Sequence, residues 1–146
     1  MILVGLPGSG KTTFYRQRFA GTHLHISKDL WPAGARKDVR QARELREALR
    51  KGQPVVVDNT SPSVAERAAI IGIARELGVP VSGYFFTATT REAVGRNRGR
   101  EGRERVPDVA IFTTAKRMVL PSREEGFDAL YRVSIAPDGA FVVADL

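Results

Sequence analysis

Cysteine is absent from this chain, so it can form no disulfide and no thiolate metal site. Histidine is nearly absent too, and His23 and His25 alone make a poor metal set. No apolar run approaches the roughly 20 residues that cross a bilayer, which excludes a helical membrane span. The opening "MILVGLPG" reaches glycine after four residues, too short an apolar stretch for a signal peptide, so a cytoplasmic location is expected. Acidic residues are few, 16 against 23 Lys and Arg, and the net charge of +7 comes mostly from arginine. That balance suits a polyanionic partner, since the arginine fork matches phosphate geometry, although arginine-rich composition alone would also produce it. Repeats, linkers and low-complexity segments are missing, and 146 residues fit one compact domain spanning 1–146.

What is present alternates between strand and helix signals. "ILVGL" (2–6) is a short apolar run ending in glycine, "KTTFYRQRFA" a helix, and "THLHIS" (22–27) an alternating strand. Val39, Ala42, Leu45 and Leu49 recur at spacings of three and four, predicting a helix over 38–51 that Gly52 ends. "PVVVDN" (54–59) is a buried strand. Ser63 and Glu66 have capping-box spacing before a helix running to Leu77, and Thr89 with Glu92 repeat the signature before another. "PVSGYFFTA" (80–88) between them is a strand. Residues 107–119 form a helix with Pro107 near its first turn, and "LYRVSI" and "FVVAD" pair as a hairpin across "APDG". Such alternation predicts an α/β fold: a three-layer arrangement around a mostly parallel sheet, with the hairpin adding antiparallel strands at its edge.

The segment "VGLPGSGKTT" carries the chemistry. Gly5, Gly10, Lys11 and Thr12 fit G-x-x-x-x-G-K-[ST] without deviation, between a strand and a helix, as a P-loop requires. Gly5, Pro7, Gly8, Ser9, Gly10, Lys11, Thr12 and Thr13 would wrap the phosphates of ATP or another nucleoside triphosphate. Lys11 would reach the β- and γ-phosphates, and the Thr12 hydroxyl would be the Mg²⁺ ligand. Asp58 ends an apolar strand at the sheet edge where ligands bind, so it could hold a Mg²⁺ water, the Thr12 hydroxyl or a substrate arginine, or simply cap its turn.

Phosphoryl transfer also needs a base, cations and exclusion of water. Asp29, just beyond the second strand, is a candidate base, with a turn-capping role as the alternative. Residues 91–106 carry arginines at 91, 96, 98, 100, 103 and 105, interrupted by Gly95, Gly99 and Gly102. Arginines on a glycine-loosened segment suit a lid over phosphates, and Glu101 and Glu104 would neutralise them if the segment were only a solvated loop.

Taken in order, "VGLPGSGKTTF", "HLHISKDL", "VVVDNTSPSVAER", "YFFTATTREAVGRNRGRE" and "VPDVAIFTTAKRMVLPSREEGF" resemble the 5′-kinase domain of polynucleotide kinases, over Ile2 to about Val133. The resemblance implies a P-loop phosphotransferase fold and transfer of the γ-phosphoryl to a 5′-hydroxyl end of DNA or RNA. It implies Lys11, Asp29 and Arg98 as catalytic residues, Asp29 being the general base and Arg98 the lid arginine, with Arg96 and Arg100 as competing nucleotide contacts. Asp58, Asn59, Thr60, Arg36 and Arg67 would serve the substrate. The chain departs from the family at Ser27-Lys28, where Asn-Arg precedes the catalytic Asp, and at Pro32, where the phage enzyme has arginine. No phosphatase segment is evident, so a separately encoded ligase or phosphatase is an expected partner, and no membrane is. Two other readings use the same parts: a kinase of a small-molecule hydroxyl (sugar, nucleoside or antibiotic) and a nucleotide-binding module without transfer.

Overall fold

Six strands form one sheet in the order β2-β3-β1-β4-β5-β6, where β1 is Ile2–Val4, β2 Leu24–Ile26, β3 Val55–Asp58, β4 Ser82–Phe86, β5 Ala129–Ile135 and β6 Phe141–Asp145. The first five run parallel, and β6 pairs antiparallel with β5, as the terminal hairpin signal predicts. This computed structural model describes every residue except residue 35. Helices α1 (Lys11–Arg18), α2 (Lys37–Arg50), α3 (Val64–Glu76), α4 (Thr90–Arg98) and α5 (Asp108–Arg117) connect the strands. Among the described residues no helix is long and apolar enough to cross a membrane.

The sheet is buried on both faces because its central strands are apolar throughout, not merely on alternate residues. Ile2, Val4, Val55 and Val57 face α2 and α3, meeting Leu45, Ala48, Ile70, Ile71 and Ala74. Leu3 and Val56 turn the other way with Phe86 and Val133, onto Phe14 and Tyr15 of α1 and Phe141 of β6. The three layers expected from the sequence are therefore present. Both expected capping boxes also form, at Ser63 with Glu66 and at Thr89 with Glu92. Strands are shorter than their apolar runs: the 22–27 run keeps only Leu24–Ile26, because Thr22 and His23 donate to Phe19 O and finish α1 instead.

Parallel pairing fixes the site. Leu3 lies opposite Asp58, so the carboxylate stands at the same level as the chain leaving β1 for the glycine loop. Gly5 N then donates to Thr60 O at 3.0 Å, tying that loop to the segment after β3.

Candidate active site

Two close approaches shape the loop between β1 and α1. Gly8 and Gly10 have φ of +80° and +98°, the left-handed region where a side chain is strained. A Cβ on Gly8 would stand 2.6 Å from the Ala93 carbonyl oxygen of α4, and one on Gly10 would stand 3.2 Å from Ile135 and Phe141 of the hairpin. The loop is thus clasped between α4 and the β5–β6 hairpin. Gly10 precedes α1 without any side-chain cap, so the first N–H groups of that helix are presented to an anion.

Lys11 is buried, and its ammonium donates to Gly5 O at 3.0 Å and Leu6 O at 2.7 Å. Burial pulls its pKa down to about 8; the charges of Asp58 and Asp29 oppose that shift, and Arg100 adds to it. The charges of Asp58, Arg100 and Asp29 therefore all bear on this one ammonium.

Asp58 is 3% exposed, and its Oδ2 accepts from Thr12 Oγ1 at 2.7 Å and lies 2.9 Å from His25 Nε2. Burial disfavours its charge, but hydrogen bonds from His25 and Thr12 and the nearby Lys11 outweigh that and hold the carboxyl below its usual range. His25 is itself held flat on Tyr15, ring centroids 4.1 Å apart and 12° from parallel, while Tyr15 Oη donates to His23 O at 2.9 Å. Sequence reasoning missed His25. The available signal was its place in a strand beside the one that ends in Asp58.

Asp29 sits in a single 3₁₀ turn, Lys28–Leu30, whose start is capped by Ser27 Oγ accepting from Asp29 N. Its carboxylate is exposed and has no hydrogen-bond or ion-pair partner among the described residues. Asn59 steadies the turn: its Oδ1 accepts from Lys28 N at 3.0 Å, and its Nδ2 donates to Gln41 Oε1 at 2.7 Å. Asp29, Gln41, Asn59, Thr60 and Glu66 line a cavity of about 260 Å³ between α2 and α3. The structure thus gathers Lys11, Thr12, Asp58, Asn59, Thr60 and Asp29 at one sheet edge.

Two arginines stand elsewhere than expected. Arg67 is 0% exposed; Nε and Nη2 bind Glu125 at 2.7 and 2.8 Å, and Nη1 donates to Ser61 O and Pro62 O. Every donor group of its fork is used inside the protein, so it is a structural residue and not a substrate contact. Arg98 has a 69% exposed side chain turned to Asp108 at 3.9 Å. It lies off the helix face that Ala93 presses onto Gly8. Arg96, one turn beyond Ala93, keeps Nη1 buried without a partner, and Arg100 is the arginine whose charge reaches Lys11. Within α4, helical geometry sets this choice, because residues 93, 96 and 97 share a face and 98 does not. Arg100 lies past the helix end, where its Nη1 donates to Glu104 O at 3.2 Å.

The lid is anchored at its base. Asn97 is wholly buried and closes residues 98–105 into a loop, donating to Val106 O at 2.6 Å and accepting from Val106 N at 3.0 Å. Arg36 is exposed and stands at the N-cap of α2.

Among the described residues no cluster of three or more His, Asp or Glu forms a metal cage. The donor set nevertheless fits Mg²⁺, which keeps its waters and binds through a hydroxyl, a carboxylate and substrate phosphates. Thr12 and Asp58 supply the first two 2.7 Å apart.

The model of a family described as an AAA domain matches residues 1–121. A bifunctional polynucleotide phosphatase/kinase of Schizosaccharomyces pombe (strain 972 / ATCC 24843) is 29% identical over 131 residues, covering 87% of this chain and 31% of that protein. The chain therefore spans about a third of that relative's length. Among solved structures, the Pnkp1/Rnl/Hen1 RNA repair complex contains a chain that superposes with a TM-score of 0.66 at 22% identity, covering 80% of this chain and 42% of the other. A gluconokinase from Sinorhizobium meliloti 1021 superposes equally well, at 0.66 and 19% identity, covering 92% and 81%.

Proposed function

The chain belongs to the AAA domain family, and from that footing we propose that it transfers the γ-phosphoryl of ATP or another nucleoside triphosphate to a 5′-hydroxyl end of DNA or RNA. The observation that carries this reading is Asp29: an unpartnered carboxylate on the rim of a cavity, within electrostatic reach of the buried Lys11. A nucleotide switch needs the cradle but has no use for that carboxylate beside a second cavity.

The triphosphate would lie against the free N–H groups of α1, with Lys11 on its β- and γ-oxygens. Thr12 and Asp58 would hold Mg²⁺, which supplies charge neutralisation at the phosphoryl oxygens. Asp29 accepts the proton of the acceptor hydroxyl as the new O–P bond forms and the bond between the γ-phosphorus and the β,γ-bridging oxygen breaks, leaving a nucleoside diphosphate. Arg96 and Arg100 offset charge on the moving group, and the clasped loop 98–105 excludes water.

The relative named a polynucleotide phosphatase/kinase supports the acceptor class. A separately encoded ligase or phosphatase would then complete end repair. The small cavity and the gluconokinase likeness favour a second reading, a kinase of a small neutral hydroxyl compound. Labelled ATP offered with 5′-hydroxyl DNA, 5′-hydroxyl RNA, nucleosides and sugars separates the two. Label on a strand end, absent with Lys11→Ala and Asp29→Asn, is the expected result. Label only on a small acceptor would replace the polynucleotide by that compound, and ATP binding without any transfer would leave a non-catalytic module.

A further inference from the structure

The cavity beside Asp29 opens at Ala42 onto one face of α2. From there that face continues past Val39, Arg43, Arg46 and Arg50, with Glu47 and Lys51 at its side. Positions 39, 43, 46 and 50 follow one another at spacings of four, three and four, so they form one stripe of the helix. At 1.5 Å per residue that stripe is about 17 Å long, enough for several phosphodiesters.

Its charges are unequally neutralised. Arg40 pairs with Glu44 and lies over the Trp31 ring at 4.6 Å, Arg46 meets Glu76 at 3.4 Å, and Lys51 meets Glu47 at 3.0 Å. Arg43 and Arg50 are exposed and have no carboxylate within ion-pair distance among the described residues. The cavity has the opposite character: Asp29, Asp38 and Glu66 line it. Although Asp38 is paired to Lys28 and Glu66 to Arg117 at 3.2 Å, the Asp29 carboxylate stands unpaired among the described residues. An acidic hole repels phosphate and accepts an uncharged nucleoside, whereas the stripe attracts phosphate.

Resting on the polynucleotide reading, we propose that the acceptor's terminal nucleoside enters the cavity while the rest of the strand crosses Ala42 and lays its phosphodiester backbone along the Arg43–Arg46–Arg50 face of α2. The contact is to backbone charge, so it is indifferent to base sequence. It also divides acceptors by length: a single nucleotide uses the cavity alone, and a longer strand uses both.

The test compares a 5′-hydroxyl 12-mer with a nucleoside 3′-monophosphate, using wild type, R43A/R50A and R43K/R50K. For R43A/R50A the expected KM for the 12-mer rises about tenfold, kcat stays put and the mononucleotide is unaffected. The salt dependence of 12-mer binding should weaken by about 1.4 in log–log slope, the single-strand value for two lost charges. R43K/R50K keeps the charge and should keep most of the affinity. Unchanged 12-mer KM and salt slope in R43A/R50A would overturn the proposal. If no acceptor is phosphorylated, binding of the fluorescent 12-mer decides independently. A strand bound by wild type and released by R43A/R50A supports the surface even where the kinase reading fails, and a strand bound equally by both removes it. A polyglutamate peptide that binds this face while the 12-mer does not would assign the stripe to an acidic protein and overturn the proposal.

Discussion

Arg67 on α3 and Glu125, 58 positions later, form a two-pronged ion pair whose arginine side chain is 0% exposed and whose carboxylate side chain is 8% exposed. The pair fixes the turn carrying Ser61, whose φ of +45° is the one left-handed value on a non-glycine residue among the described residues. Ser61 lines the cavity beside Asp29, so the arginine shapes that wall from behind. Removing one partner leaves a buried charge unanswered, and Arg67→Ala should cost about 3–5 kcal/mol in urea unfolding. A loss below 1 kcal/mol with a raised acceptor KM would return Arg67 to substrate binding.

Lys11 makes nucleotide binding sensitive to alkali. Its pKa in the folded chain is about 8 against an ordinary 10.5. Between those values the unfolded chain holds a proton that the folded chain has released, so stability attributable to Lys11 rises with pH across that window. Wild type should therefore gain on Lys11→Met from pH 8 to 10 in the absence of nucleotide. Nucleotide affinity should move the other way, weakening by up to about tenfold per pH unit above 8 as the ammonium is lost. Lys11→Arg, charged throughout, should flatten the calorimetric profile, and a profile identical to wild type would dissociate the effect from this residue.

His25 should act through Asp58. His25→Ala deletes one of the two hydrogen bonds on Oδ2 and the ring resting on Tyr15. The expected loss in kcat is about tenfold or more, with a higher Mg²⁺ requirement, as for other groups that orient a ligand from behind. His25→Asn, which retains a donor, should recover part of the loss. Equal kcat in all three proteins would make the histidine a packing residue.

The lid arginines should separate sharply. Arg96→Ala and Arg100→Ala are expected to lower kcat, by about 10³-fold for whichever of the two meets the transferring phosphoryl. Arg98→Ala, facing Asp108 and solvent, should stay within about threefold of wild type. The reverse ranking in single-turnover assays would mean that the loop turns over before transfer.

Much of the fold was legible because its signals are local. Ser63 and Glu66, Thr89 and Glu92, and the apolar "VVVD" each specify an element within a few residues, and the P-loop glycines specify a turn. The strand ends were less legible, since Thr22 and His23 follow α1 hydrogen bonding over their own alternation. Side-chain facing was least legible. Arg96, Arg98 and Arg100 are alike in sequence, and only the folded chain shows that Arg96 keeps a buried Nη1 while Arg98 turns out to Asp108 and Arg100 lies past the helix end. Likewise, the partner that claims Arg67 lies in a distant turn, and the Asn59–Gln41 bond joins residues from separate connections.

The contact of Gly10 with Ile135 and Phe141 joins segments from opposite halves of the sequence. β6 is an edge strand with one neighbour, so it opens more readily than the strands beneath it. Each such opening takes a wall away from the loop between β1 and α1, so a triphosphate held by that loop should favour the shut hairpin. Amide protons of Val142 to Ala144 should therefore exchange with solvent more slowly once a triphosphate is bound, although none of them touches it.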